Sequence, residues 1–348
     1  MKVACSLLVV LLLGACSSEP QSEASADAAK DTVIFDVPQV ISADHSGLLK
    51  VGVPANPPLA GKVDASLLPA NAVDWLAVVE YEKGSGITMA QVLTTFNAAW
   101  QDQNGWPVLF AYDTRTGYWT NPEAMQAAQV TKLCFNWKLV QGRDNIRIVF
   151  SEKNLQRFLD GVRFHAERLG PASVTPQTSV EEGATRARQL GQLVGQCERF
   201  ALLRLAADDQ AMYPRDTVWD ALLALGLTWN EQDGLFRLEN RQFNWGERDF
   251  FTIGTTTEPG FFDPREGHTQ GGGMTDLILG FSIPRSAHPE GVGHALFRAA
   301  GHLQERLGGT ITNIDGEPLD TNALGAEIAT ISQALREAGF PAGKMGTT

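Results

Sequence analysis

The chain has few of the residues from which catalytic and metal sites are built. Its 348 residues include four cysteines and six histidines. The histidines form no His-Glu-x-x-His metal motif, and neither Cys134 nor Cys197 belongs to a Cys-x-x-Cys pair. There is no Gly-x-Ser-x-Gly nucleophile motif, no Walker loop for phosphate, and no dinucleotide-binding Gly-x-Gly-x-x-Gly after a strand. We therefore predict no catalytic residues, no metal and no cofactor, and expect a protein that is not an enzyme.

Clustered basic residues are also absent. Lys and Arg together number 28 against 40 Asp and Glu, which gives a net charge of −12 and a pI near 5.0. Binding to nucleic-acid phosphates requires grouped Lys and Arg side chains, so we predict no nucleic-acid partner. Hydrophobic residues make up 43% of the chain, and its length is sufficient for two ordinary domains.

One long apolar run is present, close to the N terminus. Lys2 precedes the run at residues 7–13, and Leu13-Gly14-Ala15-Cys16 has the pattern of a lipobox. The run is shorter than the roughly 20 residues that a membrane-spanning helix needs. We therefore predict that residues 1–16 are a lipoprotein signal peptide with its lipobox and that Cys16 is lipidated. The protein is then a lipid-anchored membrane protein that faces the periplasm, and the residue after Cys16 favours the outer membrane.

Residues 17–70 are predicted to form a disordered, proline-rich tether, part of which packs on the first folded unit. Residues 17–31 are rich in Ser, Ala and Glu and show no apolar period, and five prolines follow before residue 71. An oxidising compartment permits one disulfide between Cys134 and Cys197, and two buried thiols are the alternative.

From residue 71 onward the sequence repeats one order of elements. Strand-like segments at 74–81 and 198–205 are each followed by a helix-like period, and a later helix in each half ends in Glu-Arg-Leu-Gly. Each half predicts the order β-α-β-β-α-β-α. We predict an α+β fold of two tandem units, each a mostly antiparallel sheet with helices on one face. The units are residues 71–196 and 197–342, and residues 343–348 form a tail.

The second unit resembles the C-terminal, FtsZ-binding domain of the bacterial division protein family ZipA. The resemblance covers about residues 199–339, and the first unit resembles a diverged copy that lacks the Gly-Phe-Phe-Asp-Pro element. It implies an α+β domain that binds a protein and takes part in septum assembly. The segments that carry it are 221–229 (ALLALGLTW), 260–264 (GFFDP), 279–284 (LGFSIP), 307–309 (LGG) and 315–319 (DGEPL).

The resemblance also implies a peptide-binding groove. In the family, a hydrophobic cleft on the exposed sheet face accepts a C-terminal peptide of the division GTPase FtsZ. By position, the groove here is formed by Ile253, Thr255, Thr256, Ile278, Gly280 and Ser282. Several of these residues are smaller or more polar than the aliphatic residues of the family cleft, and a lipobox sends the chain away from cytoplasmic FtsZ. We therefore expect an envelope lipoprotein associated with cell division that binds a different protein or peptide ligand.

Two alternatives stay open at the level of sequence. One is a structural envelope lipoprotein whose sheet faces are used internally. The other is a cytoplasm-facing, FtsZ-binding homologue of ZipA. Open sheet faces with exposed apolar patches of a few hundred Å² favour the binding function.

Overall fold

The structure is a computed structural model, and it describes residues 43–55, 57, 73–125, 127–143, 146–208, 211–264 and 273–343. The chain forms two compact units. The N-terminal unit comprises Leu59–Gly195, and the C-terminal unit comprises Gln196–Thr348 together with the segment up to Pro58. The predicted signal peptide with Cys16 and most of the predicted tether lie outside the described residues.

The N-terminal unit contains a five-stranded antiparallel sheet with the strand order β3-β2-β4-β1-β7. Strands β5 and β6 form a separate antiparallel ribbon. In chain order the elements are β1 (Asp74–Tyr81), α1 (Met89–Thr95), α2 (Ala98–Gln103), β2 (Val108–Asp113), β3 (Tyr118–Thr120), β4 (Lys132–Lys138), β5 (Val140–Arg143), β6 (Ile146–Val149), α3 (Glu152–Leu169), β7 (Ala172–Pro176) and α4 (Val180–Cys197).

The C-terminal unit contains a six-stranded antiparallel sheet with the order β10-β11-β12-β14-β8-β15. Strands β9 and β13 form a short antiparallel ribbon. The elements are β8 (Phe200–Ala206), β9 (Tyr213–Pro214), α5 (Arg215–Ala224), β10 (Thr228–Asn230), β11 (Leu235–Glu239), β12 (Asp249–Gly254), β13 (Gly273–Met274), β14 (Asp276–Ser282), α6 (Pro289–Leu307), β15 (Thr310–Thr312) and α7 (Thr321–Glu337).

Equivalent apolar rows cross the central strands of both sheets. In the N-terminal unit, Val79 of β1 pairs with Leu133 on one side and Val174 on the other. Burying such a side chain stabilises a fold by about 1.5–3 kcal/mol, so these rows anchor the cores. The C-terminal row is formed by Leu205, Leu277 and Ile311.

Helices α3 and α6 bury matching positions. Their apolar residues recur every three or four positions, as in an amphipathic helix. Each buried residue of α3 has a buried counterpart 137 positions later in α6, for example 155 to 292 and 166 to 303. The paired positions are Leu155 and Val292, Phe158 and Ala295, Leu159 and Leu296, Val162 and Ala299, and Ala166 and Leu303.

One part of the predicted tether is folded. Residues 44–53 contain a 3-10 turn, Ser46–Leu49, and both Leu49 and Val51 are only 3% exposed. The segment packs on α6 of the C-terminal unit. The expectation that part of the tether packs on the first unit is therefore wrong for residues 44–53. It could not be made correctly because no sequence pattern in this segment identifies the helix that covers Leu49 and Val51.

The predicted α+β class with antiparallel sheets is confirmed. The predicted order of elements occurs in each unit with additional short strands and, in the N-terminal unit, with a second short helix, α2. Within the part of the chain that the structure describes, every helix is too short or too polar to cross a bilayer.

Candidate functional site on the C-terminal sheet

The six-stranded sheet has one face that is buried across its central strands β12, β14 and β8. Successive side chains of a strand point to opposite faces, and along β8 the side chains alternate between fully buried and half-buried. The half-buried Leu202 and Arg204 of β8 therefore define the second face, which we call the outer face. A row of paired residues crosses it, from Arg237 through Thr252 and Gly280 to Leu202. The buried face includes Ala201, Leu203, Leu205, Leu277, Leu279 and Phe281.

Three predicted groove residues of β14 lie on the outer face. Ile278 is paired with Arg204, Gly280 with Leu202, and Ser282 with Phe200. Ile278 is 5% exposed and Ser282 is 4% exposed, so neighbouring side chains already cover most of this strand. The structure brings the three residues together in one line, as their spacing of two predicts.

Ile253 lies on the opposite face, which corrects its predicted place in the groove. Its neighbours across the sheet are Phe236 and Leu279, and its side chain is completely buried. The physical reason is the strand alternation. Thr252 pairs with Gly280 on the outer face, so the next residue, Ile253, points into the core.

Gly280 does not leave an open gap. A Cβ atom at this position would lie 2.2 Å from Cδ2 of Leu202 and 3.0 Å from the backbone oxygen of Ala201. The Leu202 side chain therefore lies across the glycine and occupies the space that a larger residue would take. Glycine is required here because a neighbouring side chain approaches the backbone closely.

Thr255 and Thr256 bind a buried carboxylate. Thr255 is 2% exposed, whereas Thr256 is exposed. The Thr255 hydroxyl donates to Oδ1 of Asp276 at 3.1 Å, the Thr256 backbone N–H donates to the same oxygen at 2.8 Å, and the Thr256 hydroxyl donates to Oδ2 at 2.5 Å. These threonines therefore stabilise the end of β14 and do not widen an apolar cleft.

An ion pair completes this cluster. Nε of Arg204 donates to Oδ2 of Asp276 at 2.8 Å; the Asp276 side chain is fully buried and that of Arg204 is 29% exposed. A buried charge is stable only when it is paired and hydrogen-bonded, and Asp276 meets both conditions. Burial, with smaller contributions from Asp208 and Asp276, raises the pKa of the nearby Tyr213 to about 12.

A second arginine lies on the same face. Arg237 donates to Asp249 at 2.6 Å and also pairs with Asp233. Burial raises the pKa of the Asp249 carboxyl, and the charge of Arg237 opposes that rise. The outer face thus contains the half-buried Leu202, the nearly covered Ile278 and two arginines that are paired with carboxylates.

Sequence reasoning missed other residues of this face, among them Leu202, Arg204, Arg237, Thr252 and Asp276. One signal was available for Asp276, because it is the single charged residue at the start of the apolar strand Asp276–Ser282. A charge in such a strand requires a partner, and the alternation of β8 offers Arg204. The close approach of Leu202 to Gly280 leaves no such signal in the sequence.

The cysteines and the possible metal ligands do not form a site among the described residues. Cys134 and Cys197 are buried, unbonded thiols, and burial raises the pKa of Cys134 to about 12. Burial also raises the pKa of Cys197. Among the described residues, no group of three or more His, Cys, Asp or Glu side chains is placed to hold a metal ion.

Comparison with known proteins bears on this unit. No curated protein matches the chain. Residues 200–330, which carry the outer face, match the family model described as ZipA, C-terminal FtsZ-binding domain. The match spans less than half of the chain and confirms the expected resemblance: this part of the C-terminal unit is similar to the FtsZ-binding domain of ZipA.

Proposed function

We propose that this protein is a non-enzymatic, lipid-anchored protein of the cell envelope that binds a protein or peptide ligand and takes part in cell division. The observation that carries the proposal is the match of residues 200–330 to a protein-binding domain of the division machinery. The match includes Leu202, Arg204, Thr252 and Ile278 of the outer face. The ligand is held on this face.

The two units are tandem copies of one domain. Support comes from the equivalent three-strand rows around Val79 and Leu205. The offset of 137 between the buried positions of α3 and α6 gives further support. The N-terminal copy has diverged, since its sheet has five strands where the C-terminal sheet has six.

The anchor is a diacylglycerol on Cys16, exposed to the periplasm at the outer membrane. The test is metabolic labelling with a fatty-acid probe in intact cells, comparing the native chain with Cys16→Ser. We expect label in the native chain and none in the variant, with Cys5→Ser as the matched control that keeps the label. A native chain without label would overturn the anchor and favour the cytoplasm-facing alternative.

The ligand differs from the FtsZ tail, because the proposed compartment excludes FtsZ and because polar groups border the face. The test is site-specific photocrosslinking in cells from the full-length protein, with the photoreactive residue at Leu202 or Thr252. The matched control carries it at Phe164, which is 58% exposed in the N-terminal unit. One common adduct from both outer-face positions, absent from the control, supports binding. No adduct at either position would count against it.

The alternative of a cytoplasm-facing, FtsZ-binding homologue is tested by measuring the binding of a synthetic FtsZ C-terminal peptide to the purified full-length protein. Saturable binding that Thr252→Arg abolishes would favour a cytoplasm-facing FtsZ-binding homologue over the envelope protein. We expect no saturation.

A structural role is favoured for the N-terminal sheet by one observation. Leu76 and Cys134 lie on the face that alternates with the core residues Trp75 and Ala77, yet both are completely buried. The chain itself covers this part of the face, which favours a structural role for it. A photoreactive residue at Val78 is expected to crosslink only within the chain.

A further inference from the structure

The segment at residues 44–53, which we call the strap, is held on two helices of the C-terminal unit. The backbone N–H of His45 donates to the carbonyl oxygen of Ala224, the last residue of α5, at 2.7 Å. The Arg298 guanidinium of α6 donates to the carbonyl oxygens of Leu48 at 2.6 Å and Lys50 at 3.0 Å. These contacts lie outside the outer face.

The strap occupies a position that α2 fills in the N-terminal unit. At the offset of 137, Arg298 corresponds to Gly161 and His302 to His165. A Cβ at Gly161 would lie 2.6 Å from the amide oxygen of Asn104, the residue that caps α2. The ring of His165 lies 6.2 Å from that of Trp100 in α2. The same two helix positions therefore contact α2 in one unit and the strap in the other.

Two histidines meet at this contact. The rings of His45 and His302 lie with their centroids 4.6 Å apart and their planes inclined by 49°. Among the described residues, no group forms a hydrogen bond with Nε2 of His302, although that atom is buried. A proton added at Nε2 of His302 would find no acceptor there, and the charged ring would face a second imidazole.

The charged groups around His302 do not favour an added proton on that ring. Helix α6 contributes Arg298, Glu305 and Arg306, and Arg306 is paired with Asp220 of α5. On the strap, Lys50 is exposed and Asp44 accepts the backbone N–H of Ser46 at 2.9 Å. Glu305 alone opposes the arginines at His302, so the site is adapted to neutral imidazole.

We propose that the strap is a pH-sensitive latch, docked on α5 and α6 while His302 is neutral and released when His302 is protonated. The direction follows from His302. Burial lowers its pKa, and the neighbouring His45 and Arg306 lower it further. The undocked state therefore binds more protons than the docked state, and docking is lost as the pH falls below the ordinary histidine pKa of about 6.5.

The test is hydrogen exchange of the full-length protein at pH 7.5 and 5.5, corrected for intrinsic exchange rates. The informative amides are those of His45 and Leu48, which are hydrogen-bonded in the docked strap. One histidine changes docking by up to about tenfold per pH unit below its ordinary pKa, so we expect protection at these amides to fall about tenfold. Amides of β14 report unfolding of the whole unit and are expected to change less.

Two variants test whether the histidines cause the pH dependence of strap docking. His45→Gln combined with His302→Gln is expected to keep the strap protected at both pH values, and Arg298→Ala is expected to expose it at both. Histidine titration by NMR provides a second readout, in which the pKa of His302 is expected to rise in His45→Gln. Equal protection of the native strap at the two pH values would overturn the latch, as would a pH dependence that persists in the double variant.

Discussion

The two units complete the same helix face in different ways. In the N-terminal unit, α2 follows α1 directly and packs at Gly161 and His165 of α3. In the C-terminal unit, the corresponding positions of α6 are Arg298 and His302, and they are covered by chain from residues 44–53. A local element folds together with its neighbours, whereas a distant one must close a long loop at an entropic cost. The C-terminal unit is therefore a discontinuous domain, and the strap is the segment of it that we propose to detach separately.

A second contrast lies at the end of the central strands. In the N-terminal unit, Lys132 pairs with Glu80 at 2.7 Å, with side chains 41% and 54% exposed. On the corresponding strands of the C-terminal unit, Arg204 pairs with Asp276, which is fully buried. Exposed pairs contribute little to stability, while a broken buried pair leaves a charge without solvent. The ion pair at the strand end is thus exposed and weakly stabilising in the N-terminal unit, whereas in the C-terminal unit it is needed to keep a buried carboxylate paired.

Asp276→Ala is expected to produce the largest effect. It removes the acceptor for Thr255, Thr256 and Arg204, and breaking a buried pair costs about 3–5 kcal/mol. Because Arg204 reaches solvent, we expect a loss of about 3 kcal/mol in the free energy of unfolding of the C-terminal unit. Chemical denaturation followed by hydrogen exchange assigns the loss to that unit.

Glu80→Gln is the matched control for the exposed pair. We expect its cost to stay below about 1 kcal/mol in the N-terminal unit. Equal losses in the two variants would remove the contrast between the strand ends.

Leu49→Ala tests whether the strap opens separately from the rest of the C-terminal unit. Leu49 is 3% exposed, and truncating a buried leucine costs about 2–5 kcal/mol when the structure cannot yield. The strap can detach, so we expect about 2 kcal/mol, seen as lost protection of the His45 and Leu48 amides. Leu48→Ala is the control, because Leu48 is 39% exposed and its truncation is expected to change stability by at most about 0.5 kcal/mol. A cooperative loss across the sheet in Leu49→Ala would show that the strap does not open separately.

Gly280→Ala measures how tightly Leu202 covers the outer face. The added Cβ would meet both Leu202 and the rigid backbone of Ala201, and overpacking costs about 1–3 kcal/mol. Gly301→Ala in α6 is the control, since nothing lies within 4 Å of its Cβ position. Alanine is the better helix former by about 1 kcal/mol, so the control is expected to stabilise the unit. Thermal unfolding of the two variants should therefore shift in opposite directions.

The sequence predicted the parts of the fold that depend on local period. The α+β class and the order of strands and helices follow from alternation and amphipathic spacing, as do the outer-face positions of Ile278, Gly280 and Ser282. Ile253 was misplaced because the register of β12 against β14 decides its face, and register is not a local property. The strap could not be predicted either, because its partner His302 lies more than 250 residues away and neither segment carries a matching pattern.

Ser151→Ala is expected to give the smallest effect and concerns how the equivalent helices begin. The Ser151 side chain accepts the backbone N–H of Asn154, and Asn154 reciprocates at the backbone of Ser151. Helix α6 has no side-chain cap and begins with Pro289. Losing a serine cap costs about 1 kcal/mol, and replacement by glycine costs only a few tenths. Denaturation of Ser151→Ala and Ser151→Gly should show this order in the N-terminal unit; equal losses would mean that packing of α3, and not its cap, fixes where the helix starts.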